Sequence, residues 1–237
     1  MQLLLARRCG EHVLPDCVSF VAATNRRASG MGVSGMLEPV KSRFATIVTL
    51  EAHIDDWSQW ASSADIHPMV YAYLQFETDM LHKYEATADM TNTPSPRTWE
   101  NLSNVLSWNL ETGAREEAAR GAVGDNAADH FFAFEEMHAK LPTANAILAD
   151  PEAFDIRNTN ISALYVVATT LAIRADAGTF AAVCRFAERL EAEGRGEFAA
   201  LLLRDALRRS PELKATPAYA AVLTGPVGTI LSGSSIS

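Results

Sequence analysis

The stretch from Val18 to Phe44 reads VSFVAATNRRASGMGVSGMLEPVKSRF. It opens on a run of β-formers, Val18 to Ala23, cut off by polar Thr24 and Asn25. A short apolar run bounded by turn residues predicts a buried strand. In open α/β sheets, ligands lie beyond the carboxyl ends of the strands. That rule puts Asn25 at a ligand position, with an amide that both donates and accepts. A Gly/Ser-rich loop follows, then a short helical piece from Gly35 to Ser42. Arg43 and Phe44 lead into a second β-rich run, Ala45 to Leu50. Taken singly these are ordinary features. An Asn after a strand is usually a turn residue, and an Arg after a short helix complements the helix C-terminus.

A second stretch adds a more unusual feature. Ser95-Pro96-Arg97-Thr98-Trp99 reads as a helix start, with Ser95 as N-cap and Pro96 at the first helical position. Arg97 then falls in the first turn, where a cation opposes the macrodipole. An Arg there makes chemical sense if a phosphate sits between the guanidinium and the helix N-terminus.

Taken together, VAATNR followed by LEPVKSRF resembles the sensor-1 strand and arginine-finger segment of AAA+ ATPases, most closely the MoxR-like branch. PRTWENLSNVL resembles that branch's sensor-2 helix. RRCGEHVLPD resembles the connection into its sensor-1 strand, and the run from Gly121 to Phe131 its G-x-x-G-x-x-AA-x-x-F stretch. The resemblance covers Arg7 to Leu106 best and extends more weakly to Arg209. It implies that Asn25 orients the attacking water and that Arg43 reaches a neighbouring subunit's nucleotide. Arg97 would sense the chain's own nucleotide. It also implies ATP and Mg2+ as cofactors, a homo- or hetero-oligomeric ring, and protein clients, with a von Willebrand A-domain protein as a possible partner.

The departure from that family is large. A P-loop needs GxxxxGK followed by Ser or Thr, and no Gly-Lys pair occurs in the chain. Gly225-Pro-Val-Gly-Thr229 has no lysine. Phe132-Ala-Phe-Glu135-Glu136 imitates a Walker B strand, but its surroundings read as helix. The expectation is a chain that begins mid-domain, with Walker A and B preceding it, and that neither binds ATP tightly nor hydrolyses it alone. The competing class is a non-catalytic helical interaction module.

The 237 residues carry a formal charge of −9, which argues against nucleic acid or an anionic membrane surface as partner. Cys9, Cys17 and Cys184 have no CxxC spacing and suit reduced thiols in a cytoplasmic protein. The six histidines are scattered, so no metal ligand is assigned. The apolar run within Ile161 to Ile173 is shorter than the roughly 20 residues a membrane span requires.

The rest of the chain reads as helices. Trp57 and Trp60 suit one helix face. Pro68 to His82 carries Met69, Tyr73, Phe76 and Met80 as a core stripe. Glu111 to Arg120 and Asn126 to Leu141 follow, separated by a turn from Gly121 to Asp125. Then come Ile161 to Arg174, capped by Asn160, Thr179 to Glu193, and Glu197 to Arg209 with a dense leucine face and a basic end. The predicted fold is mainly α with a small α/β remnant. Residues 1–55 would be the C-terminal part of an AAA+ αβα core with two short strands, and 56–150 a helical lid. Residues 151–223 would be a C-terminal helical segment and 224–237 a flexible tail. Exposed apolar faces are expected in the remnant.

Overall fold

Beyond residue 53, apolar residues recur at spacings of three and four, and the backbone follows that period. The structure is a computed structural model that describes residues 2–24, 38–83 and 90–233. It is mainly helical, at 63% helix in thirteen α-helices among the described residues, with one small antiparallel sheet. Contacts divide the chain into two units: Met1–Glu51 with Tyr84–Asp89, and Ala52–Lys83 with Met90–Ser237.

The first unit opens with α1 (Gln2–Ala6). The helix stops before the basic pair Arg7-Arg8. Arg7 itself takes the left-handed conformation (φ 50°), and the chain turns into a hairpin of β1 (Arg8–Cys9) and β2 (His12–Val13). Gly10, at φ 62°, supplies the turn, and Arg8 pairs with Val13. The Arg7 guanidinium organises the loop after the hairpin. It donates to the carbonyls of Pro15 (2.8 Å), Asp16 (3.2 Å) and Val18 (2.7 Å) and lies 5.7 Å from the Phe20 ring. Helix α2 (Glu38–Lys41) is the last regular element of this unit among the described residues.

The two predicted strands are not formed. Residues 18–23 and 45–50 hold no regular structure, and the strand pair lies instead at β1 and β2. A strand needs a neighbouring ladder to satisfy its backbone. Among the described residues nothing pairs with either run. Val21 (97%), Leu50 (92%), Ile47 and Val48 are accordingly exposed.

In the second unit, α3 (Ile54–Ala61) buries Trp57 against Tyr71 at 5.7 Å, while Trp60 is 40% exposed. Helix α4 (Pro68–Phe76) is capped by His67, whose Nδ1 accepts from the Met69 N–H at 3.3 Å. Burial lowers the pKa of His67, which keeps that acceptor unprotonated. Of the predicted stripe, Tyr73 and Met80 are buried, Met69 is partly buried and Phe76 is exposed, and the buried run on α4 is instead the five consecutive residues Val70 to Leu74. The helix breaks at Glu77 and continues as a 3-10 turn, Thr78–His82.

Next come α5 (Pro96–Ser107), α6 (Thr112–Val123) and α7 (Asp125–His138). The predicted turn from Gly121 to Asp125 shrinks to Gly124 alone, at φ 87°. Tyr73 centres this core, with its ring 5.4 Å from Trp99, 5.8 Å from Phe131 and 5.3 Å from Phe134.

A second cluster gathers α8 (Ala144–Ala149), α9 (Ile161–Ile173), α10 (Phe180–Ala192) and α11 (Gly196–Arg209). It includes a 3-10 turn, Pro211–Ala215, and the helices α12 (Pro217–Thr224) and α13 (Pro226–Gly233). The last of these replaces most of the predicted tail, and Val227 is buried in the cluster. Helix α9 is apolar on nearly every side, as a helix enclosed by others must be. It packs on both α4 and α11, and its Val166 belongs to the first cluster. His138, which is buried, ties the clusters with a 2.9 Å hydrogen bond to Ser162 Oγ. None of the helices among the described residues is long and apolar enough to cross a membrane.

Candidate functional site

The start of α5 is fixed by the chain's own contacts. Ser95 Oγ accepts from the Thr98 N–H (3.3 Å), and Thr98 Oγ1 accepts from the Ser95 N–H (2.7 Å), a reciprocal capping box. Pro96 contributes no N–H. Trp99 is fully buried, and its Nε1 donates to the Met80 carbonyl at 2.7 Å. Ser103, further along the same helix, accepts from the His67 N–H at 2.8 Å. Four contacts on one side therefore hold the helix rigidly.

Arg97 projects from the other side. It is exposed and makes no ion pair or side-chain hydrogen bond among the described residues. A cation at the positive end of a helix is mildly unfavourable, by a few tenths of a kcal/mol up to about 1 kcal/mol. The combination of a rigid helix start and a free guanidinium can receive a phosphate or carboxylate oxygen.

Arg43 belongs to the first unit, just past α2. It is half-buried, and its Nη1 donates back to the carbonyl of Pro39 in the same turn. Its Nε is buried without a hydrogen-bond partner. In this conformation the guanidinium satisfies its own helix end. Asn25 lies outside the described residues. No unit shows two of the three predicted residues among its described positions.

One polar cluster has almost no signature in the sequence. Asp205, on α11, is 2% exposed, and neither carboxylate oxygen has a hydrogen-bond partner. Its closest cation is Arg208 Nη1, at 3.7 Å. The Tyr71 hydroxyl faces it closely enough to favour its charged form, but outside strict hydrogen-bond geometry. Burial raises the pKa of Asp205 against the opposing pull of Tyr71, Arg208, Arg209 and Arg204. Arg209 lies 5.5 Å from the Tyr71 ring and reaches towards the Ser62 carbonyl. Around it, Ser58 Oγ accepts from Gln75 Nε2 at 2.6 Å. The only signal in the sequence is one acid within the apolar repeat of LLLRDALRR.

Among the described residues, no three His, Cys, Asp or Glu side chains come together to hold a metal ion. Compared with models of protein families, with curated proteins and with solved structures, the chain matches none of them.

Proposed function

We propose that this chain contributes the arginine sensors of a MoxR-like AAA+ ATPase ring that remodels or assembles protein complexes. The observation that carries the reading is Arg97, an exposed, unpaired guanidinium on the first turn of a helix locked by a capping box and by buried Trp99. That turn is where the resemblance puts a nucleotide sensor. Arg97 would then contact a phosphate, Arg43 would stabilise charge on the neighbouring subunit's nucleotide, and Asn25 would orient water. For Arg43 this requires release from the Pro39 carbonyl, so the finger acts only when a neighbour draws it out.

ATP and Mg2+ are implied by the resemblance, but the residues present do not build their principal site. The chain has no Gly-Lys pair, and the described carboxylates form no metal cluster. No hydrolytic step is therefore assigned to this chain alone. Its part is charge stabilisation of a triphosphate held by other residues.

The test mixes the purified chain with a complete MoxR-like subunit and follows ATP hydrolysis and ring assembly together. Arg43→Ala and Arg97→Ala should each lower the mixed-ring rate by about tenfold or more without dissociating the ring. Unchanged rates in an intact mixed ring would defeat the reading. The chain alone should bind a fluorescent ATP analogue only at about millimolar Kd. The folded-back Arg43 favours a second reading, a non-catalytic helical interaction module. That reading is supported if the complex forms and neither arginine matters.

A further inference from the structure

At the end of α11 the chain folds back on itself through the 3-10 turn, α12 and α13. With α11, these elements line an open depression of about 440 Å³. Arg204 and Arg208 enter it from α11, Lys214 from the 3-10 turn and the Tyr219 phenol from α12. Leu207, Pro211 and Leu231 supply its apolar wall. Three cations converge there on a chain whose formal charge is −9, and no acid among the described residues lines the space.

Helix-dipole compensation does not explain this arrangement. It accounts for a basic residue in the last turn, such as Arg208. Arg204 stands a turn earlier, and Lys214 is not on the helix. Neither makes an ion pair among the described residues. Arg208 is only partly engaged, since the Asp205 carboxylate is 3.7 Å away, beyond hydrogen-bond reach. Arg204 and Arg208 also pull on the buried Asp205 carboxylate, but among the described residues neither they nor Lys214 donates a side-chain hydrogen bond. Such groups beside an apolar wall have a defined chemical complement. It is a compact dianion joined to an apolar body.

We propose that this depression is a binding site for a small phosphate monoester with an aromatic or acyl body. Arg204, Arg208 and Lys214 hold the phosphate, the Tyr219 hydroxyl donates to it, and Leu207 and Leu231 cover the apolar part. The site depends on neither Arg43 nor Arg97 and is separate from the nucleotide reading.

Phenyl phosphate is the probe, titrated into the full chain and followed by NMR at the Leu207 and Leu231 methyls and the Tyr219 ring. Saturable shifts at those groups are expected. Inorganic phosphate, which lacks the apolar body, should bind about tenfold more weakly. The double variant Arg204→Gln/Lys214→Gln should weaken phenyl phosphate by about tenfold or more. Circular dichroism checks that it remains folded. Lys214→Gln alone, at an exposed position, preserves the test if the double variant does not fold. Absence of saturation, equal affinity for inorganic phosphate, or an unaffected variant would overturn the proposal. So would shifts confined to the start of α5.

Discussion

The two units treat the same kind of residue in opposite ways. In the second, Trp99, Leu102, Phe131, Val70 and Leu74 are completely covered. In the first, Val21, Ile47, Val48 and Leu50 face solvent. Hydrophobicity does not separate the two sets; backbone demand does. A helix closes its hydrogen bonds within itself, so an apolar face needs only another apolar face. An extended run needs a second strand before its side chains have a surface to pack against. Among the described residues of the first unit, only the short hairpin at Arg8–Val13 meets that condition, and one side chain, Arg7, orders the loop beyond it.

Thiol chemistry should separate the units most widely. Cys9 and Cys17 are exposed in the first unit, and Cys184 is buried in the second. Burial, with Glu188 adding to it, pushes the Cys184 thiol up to about 12. An aromatic disulfide reagent near neutral pH should modify two thiols promptly. The third should react about a thousandfold more slowly, until denaturant opens the core. Three thiols reacting at one rate would erase the contrast.

A pair of truncations sharpens it energetically. Trp99→Ala removes a fully buried indole and its hydrogen bond to Met80. The expected loss in urea unfolding is about 3–5 kcal/mol. Leu50→Ala removes a side chain that is 92% exposed, and should change stability by less than about 0.5 kcal/mol. A large effect at Leu50 would show that this run is covered in solution.

The same backbone demand decides how much of the fold is legible in the sequence. The α9 cap at Asn160, the α5 start at Ser95–Pro96 and the α11 stop at Ser210 are all local signals, and the helices begin or end there. The runs at 18–23 and 45–50 mislead because a string of β-formers carries no record of whether a partner is present. The tail misleads because Gly225 and Ser232 suggest mobility, whereas Val227 finds a place in a core built from distant helices. At the candidate site, the position of Arg97 on α5 is readable from Ser95 and Pro96. The folded-back state of Arg43 and the burial of Asp205 are not, since each depends on packing geometry that no spacing encodes.

Gly124 tests one such packing dependence. It sits at φ 87°, ψ 156°, and a Cβ there would lie 2.5 Å from the Asn92 carbonyl oxygen. Asn92 is itself tied to the Gly121 carbonyl by a 2.6 Å hydrogen bond. Gly124→Ala should therefore cost about 2–3 kcal/mol and loosen the α6–α7 junction. Hydrogen exchange should show faster exchange in α6 and α7 and none of this change in the first unit.

Asp205 gives a modest effect with the most specific sign. In the first unit, Glu11, Asp16 and Glu51 are exposed, so a pH-dependent term from a buried acid belongs to the second. Burial raises the folded pKa of Asp205 above its ordinary value, so the folded state holds its proton to higher pH than the unfolded chain. Its contribution is therefore most favourable below the ordinary Asp value of about 4. It declines as pH rises from there through the raised folded value. Asp205→Asn removes the charge that has no hydrogen-bond partner while keeping the size. The variant should be more stable by about 1–2 kcal/mol near neutral pH, with the advantage shrinking towards acid. Urea midpoints measured across that range should converge at low pH. Parallel curves would mean that Arg208, 3.7 Å away, already compensates the carboxylate. A less stable variant at neutral pH would mean that Asp205 is held by a partner stronger than those facing it here.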